Sequence, residues 1–219
     1  MFNSKQFFTF AAGTVALLTT FATVASASPI VFNTSRDVGA PSRTRGAGSR
    51  GGCNLDGGDI AIQLAAPITN DIGKTVSENP TFFWTVDSNI SVPIEFTLVT
   101  TGQAEPVFVK TFSAEEVRNG MMSVQLPSGY ELNDDTTYRW TVSAVCNANR
   151  RSNDVYAQSW IKRVDNAGIS AGASGLVAAQ SYADADLWYD ALQALEVDSE
   201  RLAVIETYST PQENTDLVR

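Results

Sequence analysis

Between residues 59 and 164 hydrophobic side chains fall at every second position in short runs. The clearest is Tyr138, Trp140, Val142, Ala144 and Cys146, with Arg139, Thr141 and Ser143 facing the other way. A strand points successive side chains to opposite faces, so such a run has one face for a core and one for water. Six more runs share the pattern: Ile60-Ile62-Leu64, Phe82-Trp84-Val86, Ile94-Phe96-Leu98, Val107 to Phe112, Met122-Val124-Leu126, and Val155 to Val164. Asn79-Pro80, Pro93, Pro106, Asn119-Gly120, Pro127-Ser128-Gly129 and Asn133-Asp134-Asp135 separate them with turn chemistry. Seven short strands over about a hundred residues predict a mainly β, immunoglobulin-like β-sandwich across residues 59–165.

The flanks differ. Residues 28–58 are rich in Gly, Ser and Arg and show neither period, so they read as an arm. In residues 166–210 the period lengthens. Ala171 to Ala183 is compatible with a helix, and Leu187, Trp188, Ala191, Leu192 and Leu195 recur at helical spacing. Ser199 is placed to cap a last helix carrying Leu202, Ile205 and Tyr208. This predicts a C-terminal helical appendage, docked through Trp188, Tyr189 and Leu192, with a frayed end over residues 211–219.

Residues 1–27 have the three parts of a cleavable secretory signal. Lys5 gives a positive start, Phe7 to Leu18 an apolar run, and Ala25-Ser26-Ala27 a small-residue cleavage site. The apolar run is too short to span a bilayer comfortably, and no later stretch is long and apolar enough for a transmembrane anchor. The expected location is therefore the periplasm or the cell exterior. In such an oxidising compartment Cys53 and Cys146, the only cysteines, are expected to pair and pin the arm to the sheets. Lys5 is the only charge in the signal, so removing it takes the net charge from −9 to −10. An acidic chain argues against nucleic acid as a partner.

Two resemblances add to this. Gly73-Lys74-Thr75-Val76, Asn79-Pro80-Thr81-Phe82-Phe83-Trp84 and Thr136-Thr137-Tyr138-Arg139-Trp140-Thr141-Val142 look like bacterial fibronectin-type-III and related immunoglobulin-like domains. The spacing of Leu132 and Tyr138 is similar to that family's tyrosine corner, in which the hydroxyl bonds back to the chain just upstream. The mature chain also resembles a family of exported cyanobacterial proteins described only as a domain of unknown function. Gly39-Ala40-Pro41 with Gly48-Ser49-Arg50-Gly51-Gly52-Cys53, the central Pro80 to Trp84 and Thr137 to Trp140 segments, and Trp188-Tyr189-Asp190-Ala191-Leu192 carry that likeness. It implies an extracytoplasmic protein and no particular activity.

The chain contains no histidine. That removes Ser-His-Asp and Cys-His catalysis and His-based zinc sites, and paired cysteines leave no thiolate nucleophile. Glu115-Glu116 and Asp134-Asp135 are candidate carboxylate pairs, but adjacency in sequence is not the flanking geometry of a glycosidase. Asp184, Asp186 and Asp190 lack the Gly turn and bidentate Glu of a calcium loop, and Ser181 with Asp184 fits a capping box. Gly46-Ala47-Gly48-Ser49-Arg50-Gly51 matches a dinucleotide fingerprint without the strand and helix that the fingerprint needs. Arg43, Arg45 and Arg50 are a candidate anion or partner site. The sequence therefore predicts no catalytic residue, no metal and no cofactor. It predicts a non-catalytic binding or assembly module whose partner is another envelope or secreted protein, or an anionic polymer. The rivals are a carboxylate-based hydrolase of envelope polysaccharide and an accessory, chaperone-like factor for secreted proteins.

Overall fold

Alternating β-branched and aromatic residues produce eight strands among the described residues, one more than the alternation predicts. The computed structural model describes residues 30–32, 53, 60–67, 72–87, 90–165 and 168–209. The strands are β1 Ala61–Leu64, β2 Gly73–Thr75, β3 Thr81–Asp87, β4 Ile94–Thr100, β5 Pro106–Phe112, β6 Gly120–Gln125, β7 Thr137–Ala144 and β8 Val155–Arg163. They form a three-stranded sheet, β1-β3-β6, and a five-stranded sheet, β2-β8-β7-β4-β5. The unpredicted strand is β2. It runs parallel to β8, with Gly73 opposite Ile161 and Thr75 opposite Arg163. Three residues are too few to show a period, which is why alternation misses it.

Rings from both sheets meet. Phe82 of β3 lies 5.0 Å from Phe96 of β4 and 5.1 Å from Trp140 of β7, centroid to centroid. These aromatics bury large areas and favour tilted contacts of this kind. The Tyr138 hydroxyl accepts from the Asn133 N–H at 2.9 Å, an upstream bond of the kind its spacing suggests. Cys53 and Cys146 form a disulfide with Cα atoms 5.0 Å apart. Cys146 lies beyond Ala144, the last residue of β7, rather than inside the strand as its alternation implied.

Three helices follow among the described residues: α1 Leu176–Asp184, α2 Trp188–Ala194 and α3 Asp198–Tyr208. Tyr182, Leu187, Trp188, Leu192 and Ile205 belong to the same hydrophobic cluster as Phe82, Trp84, Phe96 and Trp140. The helices thus share the core of the sheets. Two capping expectations fail. Ser199 sits inside the first turn of α3, whose N-cap is Val197 with no side-chain cap bond. Ser181 lies within α1, donating to the Val177 carbonyl at 2.9 Å, while Asp184 accepts from Gln180 at 2.7 Å. Neither helix start is closed by a polar side chain: the N-caps Gly175 and Val197 make no side-chain cap bond. Among the described residues no helix is long and apolar enough to cross a membrane.

Candidate functional site

Helix α2 is only seven residues long, yet Trp188, Tyr189, Asp190, Ala191, Leu192 and Ala194 are all buried. So short a helix has little stability of its own and depends on tertiary contacts. Three consecutive side chains supply them in polar form. The Trp188 indole N–H donates to the Ala65 carbonyl at 2.9 Å. The Tyr189 hydroxyl accepts from the Trp140 indole N–H at 2.7 Å and donates to the Trp160 carbonyl at 3.1 Å. Burial pushes the Tyr189 phenol well above its ordinary range. Gly73 makes room for this ring, because a Cβ there would stand 2.6 Å from Tyr189 Cε2. One residue before the end of α2, Gln193 accepts from the Thr81 N–H at 3.1 Å.

Asp190 is the third of the three. It is 5% exposed and its Oδ2 accepts from the Val76 N–H at 3.0 Å. The Thr75 hydroxyl and the Ser77 N–H bond to it as well. Thr75 in turn accepts from the Ser77 N–H at 3.0 Å, so the carboxylate gathers the chain leaving β2. Burial pushes its pKa up to about 6, against the pull of those hydrogen bonds. At neutral pH it is therefore mostly ionised. It makes no ion pair among the described residues: Lys74 is 2.9 Å from Asp186, Arg163 is 2.9 Å from Glu78, and Arg201 is 2.7 Å from Asp198.

A cavity of about 240 Å³ opens against Asp190, walled by Ser77, Gly172, Ser174, Tyr182 and Gln193. Beside it runs a wider groove of about 530 Å³, lined by Asn79, Gln125, Arg163 and Ser170 among others. Ser77, Ala171, Gly172 and Gln193 border both. The outer wall is the connector into α1. Gly172 and Gly175 hold it at φ +97° and +90°, where a side chain would be strained. The Tyr182 hydroxyl fixes it by accepting from the Ala173 N–H at 3.1 Å and donating to the Ser170 carbonyl at 2.8 Å. A concave site with a few convergent polar groups and one perturbed carboxyl is the default place to look for binding.

The other sequence candidates are dispersed. Asp184, Asp186 and Asp190 form no cluster: one bonds to Gln180, one to Lys74 and one to the β2–β3 loop. Glu116 accepts from the Ser113 N–H at 2.8 Å and Asp135 pairs with Lys162 at 2.7 Å, so both carboxylate doublets sit on exposed turns. Arg43, Arg45, Arg50 and the signal segment lie outside the described residues. Trp188, Tyr189 and Leu192 are buried together at the seam. Sequence reasoning passed over Asp190 as one acid of three. The available signal was its position as the single charge in the apolar stretch from Leu187 to Leu195.

The profile of a family described as Domain of Unknown Function (DUF928) matches residues 45–202. The match takes in both sheets, α1, α2 and the first turn of α3. No curated protein and no solved structure gives a significant match.

Proposed function

The chain belongs to the DUF928 family, a domain of unknown function, and from that premise we propose that it is an exported, non-catalytic binding or assembly module of the periplasm or cell envelope. The observation that carries this reading is the composition of the cleft. Its walls offer amides and hydroxyls from Asn79, Gln125, Gln193, Ser77, Ser170 and Ser174; its buried acid is committed to the backbone of the β2–β3 loop, and its second acid, Glu78, is exposed and paired with Arg163 at 2.9 Å. Such walls suit holding a ligand. Retaining or inverting hydrolysis needs two carboxyl groups facing each other across a scissile bond. The disulfide supports an oxidising location. The strand order and the ring contacts between sheets support an immunoglobulin- or fibronectin-III-like sandwich as the scaffold.

The partner in this reading is another envelope or secreted protein, with an anionic polymer at Arg43, Arg45 and Arg50 as the alternative ligand. Photo-crosslinking side chains placed at Asn79 and Gln125, and at Thr141 on the opposite face of β7 as control, test it in the native envelope. A discrete adduct from the cleft positions and none from Thr141 is the expected result. Equal background at all three positions counts against the reading.

A second reading, an accessory factor that adds an extended segment to a sheet edge, rests on β5, seven residues long at the border of its sheet. Pro106 at its start, Lys110 within it and the register shift opposite Leu98 and Val99 are devices that discourage edge pairing, so this reading ranks second.

A further inference from the structure

The leading end of the described chain sits on the helices as a bound peptide would. Ile30 and Phe32 are buried, while Val31 between them is 61% exposed. That alternation is the side-chain pattern of an extended backbone. The Phe32 ring lies 4.4 Å from the Trp188 ring of α2 and 5.2 Å from the Tyr208 ring of α3, centroid to centroid. The Val31 N–H donates to Gln180 Oε1 of α1 at 3.2 Å, and Gln180 Nε2 donates to the Val31 carbonyl at 3.0 Å. One side-chain amide thus serves both backbone groups of one residue, as a paired residue does across an antiparallel ladder. Recognition of this kind reads the main chain at the middle position and the apolar side chains on either side of it.

The segment belongs to neither sheet, and its seat shares no residue with the walls of the cleft beside Asp190. The next covalent hold downstream is the disulfide at Cys53, with twenty residues between Phe32 and Cys53. Those twenty carry four arginines against one acid, and residues 176–208 carry seven acids against one arginine. The arm and the helical unit therefore attract, within one chain or between two. A tether of this length reaches at most about 70 Å. A domain of this size has a radius of gyration of about 17 Å, so the segment can reach the seat of its own chain or that of an adjacent copy. Neither choice disturbs the sheets or the disulfide. The rim of the seat is apolar as well: beside Val31, Leu176 and Val177 are exposed one turn before Gln180 on α1.

We propose that Ile30-Val31-Phe32 is an exchangeable clasp: the seat on α1, α2 and α3 is an interaction surface for this same segment of a second copy, so that two copies join by trading arms. This goes beyond the cleft reading and uses a different surface. Trading an identical element keeps the contacts of the segment and is a low-cost route to a two-fold dimer. The tether presents the segment to its own seat at an effective concentration on the order of 1 mM. Occupancy within one chain then requires an intrinsic dissociation constant below about 1 mM. Copies trade arms as their own concentration approaches that value, which makes the clasp a concentration-dependent assembly contact.

The test mixes two full-chain variants with the disulfide intact. Ile30→Ser with Phe32→Ser keeps the seat and removes the anchors of the segment. Gln180→Ala with Tyr208→Ala keeps the segment and strips its seat. Each alone is expected to remain monomeric in sedimentation. Mixed in equal amounts they should form a heterodimer with a dissociation constant below about 1 mM, because no intact clasp competes within either chain. The Trp188 indole N–H resonance of the first variant, isotope-labelled, should return toward its position in the parent as Phe32 of the other chain arrives. The parent should dimerise only as its concentration nears about 1 mM. No heterodimer at about 3 mM overturns the proposal, as does a heterodimer that persists when Phe32→Ser is added to the seat variant. If Ile30→Ser with Phe32→Ser fails to fold, the segment is a fixed part of the core and the proposal falls. If the stripped seat fails to fold, Gln180→Glu replaces it, setting a carboxylate against the Val31 carbonyl. Failed exchange with crosslinks from Asn79 and Gln125 intact sinks this inference alone. Exchange without those crosslinks sinks the cleft reading alone.

Discussion

Strand β8 buries a carboxylate near each end and treats the two differently. Before its first residue stands Asp154, 7% exposed, accepting from the Cys146 N–H at 3.2 Å and bonded to the Arg151 guanidinium. Arg151 also reaches Glu95 at 2.8 Å, and these two hydrogen-bonded acids hold it above its ordinary pKa. Beyond the last residue of β8 lies the seam, where Asp190 is as deeply buried, bonds only to neutral groups and borders a cavity. The first end is closed: charge meets charge, and the disulfide is next to it. The second is tied down by helix α2 yet leaves a charge uncompensated. A buried ion with its counter-ion is a structural part, whereas one without a counter-ion beside open space costs stability that a ligand can return.

The largest effect should come from opening the closed end. Replacing both cysteines, Cys53→Ser with Cys146→Ser, removes a link spanning 93 residues and should cost about 4 kcal/mol in the chain-entropy picture, measured by urea unfolding. If the loss is near zero, the arm is held by other means.

The next effect belongs to Asp190. Its value near 6 in the folded protein lies above the ordinary 3.8, so the folded state holds this proton more tightly than the unfolded chain does. The resulting stability is full below pH about 4 and is lost as pH rises through 6, a swing on the order of 3 kcal/mol. Subtracting the stability profile of Asp190→Asn from that of the parent cancels all other groups and should leave a fall across that window. A flat difference means Asp190 is not desolvated.

Gly73→Ala should cost about 2 kcal/mol by pressing a methyl into Tyr189, and part should return when Tyr189→Leu is added. Simple additivity of the two losses in thermal melts contradicts the contact. The smallest effect is Asp154→Asn, which keeps the acceptor for Cys146 and loses the charge facing Arg151. It should cost about 1 kcal/mol at pH 7, measured by urea unfolding. No measurable loss would mean that the Arg151–Asp154 pair adds nothing to the closed end.

The sheets were legible because Tyr138, Trp140 and Val142 alternate with polar neighbours, and period two is a direct projection of strand geometry. Strand β2 was not, since Gly73 and Thr75 acquire their places only from β8 and from the ring of Tyr189. Helical spacing around Trp188 was visible, but not that three adjacent side chains hydrogen-bond to four separate stretches of the sheets. Those partners are 29 to 123 residues away in sequence, and periodicity carries no information at that range. The same distance hid Asp190, whose burial depends on the β2–β3 loop. Ser199 misled because a capping residue is only a local preference, overridden when α3 packs Val204 and Ile205 into the core.

The most direct measurement is the titration of the Asp190 carboxyl in the ligand-free protein, followed by its carbon resonance from pH 3 to 8. A midpoint near 6, restored toward neither extreme by salt, is the outcome expected of a buried anion lacking a counter-ion. A midpoint near 3.8 would contradict it, placing this side chain in water or beside a cation and leaving the seam no different from the closed end.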